Sequence, residues 1–389
     1  MLQFLHRKEV DQIYLYEFLQ RFVVSLIGIF IPIQIVSAGL SYNLAFMYLI
    51  VLASAFAISV VPLSFLISRI GFKHGLIASY AFYIPAFVLL RFYDITPTIA
   101  VSVAVVYAVA QALHWLSLNS EFAVDSSDGE RSDESGKMIG LPRLAGAIAP
   151  LTGGVIMATF GFPMLVSVAL VFLVLSIIPL LMSGDHRDPL DYSVKDIWDK
   201  EHRKFAGLFL LRGADIGAAV YLFPLFVFLV IGGEVSAGGA RTVEGIGAVL
   251  MALITGKLSQ KYGRLKMIVA GLLAITLAHF ARTMVATTTH VVMLSFFAGL
   301  AFMVYYVPLY SIYADIAEDE DILEFYALRD IFLNIGKLIL YAIVLGVSIY
   351  TDSFKQGLSA GFLYTGLCTF GLLGYSKWLK EEDLGVTEN

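Results

Sequence analysis

Residues 17–36, EFLQRFVVSLIGIFIPIQIV, form an apolar run long enough to cross a bilayer, yet Glu17 and Arg21 stand inside it. A helix of about 20 apolar residues spans the hydrocarbon core, and such runs recur along the whole chain. A window of about 19 residues gives twelve spans, near 12–37, 43–67, 75–92, 96–120, 138–159, 162–182, 205–232, 241–258, 267–285, 289–314, 327–350 and 357–378. Of the 389 residues 59% are hydrophobic and only 15% charged. Soluble domains carry roughly 25% charged residues, so these segments must face lipid. The runs are continuous, whereas a transmembrane barrel alternates apolar and polar residues. The expected fold class is all-α and polytopic.

The longest polar interval, SGDHRDPLDYSVKDIWDKEHRK (183–204), lies at mid-chain. It reads as a cytoplasmic linker between six-span halves 1–182 and 205–389, with a short surface helix around YSVKDIWDKEHRKF. The start lacks a signal-peptide pattern, so the first span is expected to insert uncleaved. With the amino terminus in the cytoplasm, 17 Lys and Arg residues fall in inside segments. Only four (Arg91, Arg241, Arg282 and Lys355) fall outside, and five lie within or at the ends of spans. The positive-inside rule thus places both termini in the cytoplasm, and a plasma membrane of a bacterium or archaeon is expected. The single cysteine, Cys368, excludes an intrachain disulfide or a thiolate metal cluster.

The halves repeat. Arg21 matches Arg212 at an offset of 191 and Pro32 matches Pro224 at 192; SFLISRIGFKHG (64–75) matches GKLSQKYGRLK (256–266) at 192, and HWLSLNSEFA (114–123) matches YYVPLYSIYA (305–314) at 191. Parallel repeats of this kind place a solute site at their interface.

On these features the chain resembles the major facilitator superfamily over essentially its whole length. That family's loop after the second helix, Gly-x-x-x-Asp-Arg-x-Gly-Arg-Arg/Lys, reads here Ser64-Phe-Leu-Ile-Ser68-Arg69-Ile-Gly71-Phe-Lys73, and in the second half Gly256-Lys-Leu-Ser-Gln260-Lys261-Tyr-Gly263-Arg264. Each glycine suits a turn that needs φ > 0. Ser68 and Gln260 replace the acidic residue that helps latch the gate in the family, which puts that latch in doubt. The resemblance implies twelve transmembrane helices in two pseudo-symmetric six-helix bundles, alternating access, and a cytoplasmic gate. Arg69, Lys73, Lys261, Arg264, Arg143 and Arg329 are the gate candidates. In the fifth span, Gly136, Ala145, Ala149, Pro150, Gly153 and Gly154 resemble an antiporter-associated pattern; read as residues alone, they are small-xxx-small packing positions.

A charge at the bilayer centre costs at least ~2.5–3.5 kcal/mol, so such residues face a cavity or a partner. Glu17 and Arg21 share one helical face, as do Arg212 and Asp215, and Asp330, Asn334, Lys337 and Tyr341 form a third stripe. Two readings stand for the arginines: each pairs with its own carboxylate, or both converge on an anionic solute. The substrate-binding candidates are Arg21, Gln34, Gln111, His114, Trp115, Arg212, Tyr305, Tyr306, Asn334 and Lys337. Glu17, Asp215 and His114 are the coupling candidates, for a proton or sodium ion. The acidic run ADIAEDEDILEF (314–325) is a partner for the basic loops, or a solvated face. No nucleotide-cradling loop, metal cluster or nucleophile elbow is present, so no cofactor, metal, enzymatic activity or nucleic-acid partner is expected. The resulting expectation is a monomeric secondary transporter of a small organic anion or polar metabolite. Efflux of hydrophobic compounds or lipids, and a non-transporting receptor or scaffold, are the alternatives.

Overall fold

A computed structural model describes the backbone of residues 2–125, 131–182, 192–319 and 322–375, with side chains for 12, 15–121, 142–182, 192–200, 202–313 and 322–375. Arg7, Lys8, Arg131, Gly136, Lys137, Arg187, Lys377, Lys380 and the acidic stretch 314–321 lie outside the described side chains. Among the described residues, twelve helices are long and apolar enough to cross a membrane. They are numbered spans 1 to 12: Leu15–Ser37, Tyr42–Ile70, Phe72–Phe92, Pro97–Glu121, Pro142–Phe160, Phe162–Met182, Ala206–Val230, Glu234–Tyr262, Arg264–Arg282, Thr288–Tyr313, Ile322–Thr351 and Phe354–Tyr375. No strand occurs among the described residues. The outward faces are apolar: Ile58 is 76% exposed and Leu253 71%, while Arg212, Asp215, His279 and Arg282 are buried. Such an apolar exterior would drive aggregation in water and suits lipid.

Each duplicated proline disturbs its helix about one turn upstream, in a different way. Proline clashes with the carbonyl four residues earlier and donates no hydrogen bond. Four before Pro32 is Gly28, and the helix of span 1 breaks between Ile27 and Phe30. Four before Pro224 is Val220, inside a π-helical turn at Ala218–Leu222. The tight turns expected at Gly71 and Gly263 have φ of 84° and 91°, and each ends one helix and begins the next.

Packing carries the repeat further. Span 1 packs on spans 5 and 6, span 2 on span 4, and span 3 on spans 4 and 6; adding six to every number gives the contacts of the second half. The result is two six-helix bundles. They meet chiefly where span 2 runs along span 11 and where span 5 runs along span 8.

Gly238, Gly239 and Arg241 read as an outer loop, but span 8 begins at Glu234 and includes all three. A Cβ on Gly238 would collide with the Pro150 carbonyl oxygen, and one on Gly245 would lie 2.8 Å from the Ala147 Cα. Close approach to span 5 needs bare backbone, so tertiary packing overrides the low helix propensity of glycine. Arg282, also assigned to an outer segment, is fully buried at the end of span 9.

Candidate solute site

Both duplicated arginines bond their own carboxylates. Arg21 Nη2 donates to Glu17 Oε1 at 2.9 Å, and its guanidinium lies 4.5 Å from the centroid of Trp115. Arg212 Nη1 donates to Asp215 and to the Tyr305 hydroxyl, which in turn donates to Asp215. The Arg212 guanidinium sits 5.1, 5.0 and 4.8 Å from the ring centroids of Phe302, Tyr305 and Tyr306.

Arg143 differs from these. It reaches the same Tyr306 ring from span 5, at 5.4 Å, but its hydrogen bond goes to the Met303 sulfur at 2.8 Å. A thioether is a weak acceptor. Arg21, Arg212, Arg241, Arg282 and Arg329 each lie within ion-pair distance of a carboxylate; Arg143 has none among the described residues. Among those residues Lys337 also lacks one. Its ammonium donates to Asn334 at 3.1 Å and lies 5.8 Å from the Phe56 ring, while Asp330 is taken by Arg329 at 2.8 Å.

The remaining candidates divide. His114 is held by the Tyr16 hydroxyl at 2.9 Å from Nδ1 and lies edge-on to Tyr83 and Trp115. Gln111 is the side-chain neighbour of the Tyr107 and Tyr221 hydroxyls. Gln34 lies thirteen residues beyond Arg21, about 20 Å along the helix, so span 1 does not bring the two together.

Sequence reasoning missed a buried polar row behind Asp215. His279 Nε2 lies 2.8 Å from Asp215 Oδ1, and Arg282 Nη1 lies 3.1 Å from His279 Nδ1. Arg282 is 3.6 Å from Glu244, which is 2.9 Å from Arg241. The available signal was spacing: Arg241 with Glu244, and His279 with Arg282, are i,i+3 pairs that share helix faces.

At the linker end of the bundles, residues 192–205 cross the seam between spans 2 and 11. The Tyr192 hydroxyl meets Ser64 Oγ at 2.6 Å, and the next residue, Ser193, donates its backbone N–H to Glu324 Oε1 at 2.8 Å. Ile197 is fully buried, and Trp198 and His202 lie edge-on to Phe332 and Phe325 of span 11. Burial raises the pKa of the Tyr192 phenol above its ordinary value, which keeps it protonated. Of the gate candidates, Arg69 stacks on Phe65 at 4.1 Å, Lys261 lies over the Tyr262 ring at 5.1 Å, and Arg264 reaches Ser311 Oγ at 3.3 Å. Ser68 donates to the Phe65 carbonyl of its own helix and, among the described residues, to nothing else. Glu324→Ala is expected to cost about 1.5 kcal/mol locally, seen as roughly tenfold faster amide exchange across residues 192–200. Unchanged exchange would show that this contact does not hold the segment.

No protein-family model matches the sequence, and no curated protein matches it. Solved structures do. The nucleoside transporter NupG superposes with a TM-score of 0.67 at 11% identity, covering 96% of this chain and 98% of that one. An aspartate-to-alanine mutant of NupG gives 0.68 at 13% identity, covering 95% and 99%. Twelve spans, matching bundles and near-complete superposition establish that this chain has the fold of the major facilitator superfamily.

Proposed function

We propose that this chain is a secondary transporter that carries a small polar solute with an anionic group, by alternating access to a site between the bundles. The observation that supports it is the meeting of Arg143 and Arg212, one from each bundle, at the ring of Tyr306. Among the described residues, Arg143 is the cation there without a carboxylate at ion-pair distance. An unpaired charge is costly at membrane depth, and a bound anion would complete it. The planar guanidinium grips carboxylate or phosphate through two parallel hydrogen bonds. Trp115, Phe302 and Tyr306 add flat faces on which a ring can stack. Arg21 and Arg212 enter by exchanging Glu17 and Asp215 for the solute. First contact thus passes to Arg143, a gate candidate by sequence.

The bundles rock about this site, driven by an ion or solute gradient. Nucleosides, the solutes for which the structural neighbour is named, head the panel to be tested. Nucleoside monophosphates and small carboxylates form its anionic arm. The test is counterflow of each labelled solute into proteoliposomes. An anionic member is expected to exchange and a neutral analogue to exchange less; exchange of neutral solutes alone would overturn the anion preference.

A further inference from the structure

We propose that Asp215 carries a coupling proton, taken up when a solute anion draws Arg212 away from it. The proposal rests on the transporter reading above. The carboxylate is 1% exposed and is gripped differently at its two oxygens. Oδ1 faces His279 Nε2 at 2.8 Å, whereas Oδ2 accepts from Arg212 and from Tyr305.

The Oδ1 side is fixed. The Arg282 guanidinium can only donate, so His279 Nδ1 accepts from it and the ring hydrogen sits on Nε2, pointing at Asp215. A second ring proton would have to point at that guanidinium, so the imidazole stays neutral and acts as a positioning residue. Arg282 is balanced by Glu244 at 3.6 Å and covers the Phe223 ring at 4.5 Å. The row ends at Arg241, whose side chain is 28% exposed.

The Oδ2 side can change. Arg212 lies among the rings of span 10 that line the solute site. Once it turns to a solute anion, Asp215 keeps only neutral donors, and a buried carboxylate without a counter-ion is costly. A proton from cavity water then binds Oδ2, giving the carboxylic acid, and the Tyr305 hydroxyl rotates to accept from it. One anion and one proton are bound together, and no bond to carbon changes. The titratable and charged groups around Asp215 are Arg212 on span 7, Glu244 and Arg241 on span 8, and His279 and Arg282 on span 9. Tyr305 on span 10 and Cys368 on span 12 complete them. Span 11 meets span 7 through Leu333 and Gly336 at Gly213, with Lys337 lying against Gly217.

The test is an infrared titration of the purified full chain in lipid nanodiscs, with the proton as the only ligand and ¹³C-aspartate labelling to assign bands. Arg212→Gln is expected to show an aspartic-acid carbonyl band at neutral pH where the parent shows none, and Asp215→Asn to lose the band throughout. His279→Gln is expected to keep the band and move its midpoint, which a purely structural histidine would not do. If Asp215→Asn does not fold, the isotope shift in Arg212→Gln decides. A neutral-pH Arg212→Gln sample without an aspartic-acid band would overturn the proposal. Solute flux without a titrating aspartate would overturn the coupling role alone, whereas titration without flux of any solute would remove the transport reading and the coupling role with it.

Discussion

Asp215→Leu is expected to destabilise the second bundle by about 3–5 kcal/mol, the cost of stranding a buried charge. Arg212 is 3% exposed, and its ion pair is made with Asp215. Leucine removes that counter-ion and also leaves His279 Nε2 and the Tyr305 hydroxyl without an acceptor. Each orphaned donor adds to the penalty. The double replacement Arg212→Leu/Asp215→Leu is expected to regain a large part of the loss, because it removes both charges. Thermal unfolding of the purified proteins in detergent checks this. If the single variant melts with the parent, the buried row does not hold the second bundle together.

The second large effect lies at the seam between the bundles. Gly245→Leu places a side chain where even a Cβ comes within 2.8 Å of both Cα and Cβ of Ala147 on span 5. Overpacking of this kind costs about 1–3 kcal/mol, and here it must also push spans 8 and 5 apart. If the chain is the alternating-access transporter proposed above, in which this seam must close, solute exchange is expected to fall at least about tenfold. Gly256→Leu is the control: it lies on the same helix with nothing within 4 Å of a built Cβ. Its exchange and melting should match the parent. Equal behaviour of the two variants would show that close packing at span 5 is not required.

Much of this architecture was legible because lipid leaves the backbone few options: each crossing must satisfy its own hydrogen bonds, as a helix does. The apolar runs therefore announce the spans. The offset pairs Arg21 with Arg212 and Pro32 with Pro224 announce the repeat, and the helix defects at Gly28 and Val220 follow from proline chemistry. Pairing between spans was not legible. Arg241 and Arg282 looked like loop residues because hydropathy counts a charge without seeing its partner, and Glu244 supplies that partner from across a helix interface. Arg143 looked like a gate residue because the ring and sulfur it faces lie some 160 positions away in the chain. The glycines at 238 and 239 read as outer loop, since propensity describes an isolated helix and not one pressed against span 5.

On the proposed reading, a small anionic solute crosses the membrane by way of Arg143. Counterflow into proteoliposomes, with parent protein and with Arg143→Ala reconstituted at equal folded amounts, tests it most directly. The parent is expected to accumulate a labelled anionic member of the panel against its unlabelled pool. Arg143→Ala should lose that exchange by roughly tenfold or more, the loss of a charge-assisted bidentate contact. Undiminished exchange in Arg143→Ala, or a folded parent that exchanges no solute, would contradict the claim.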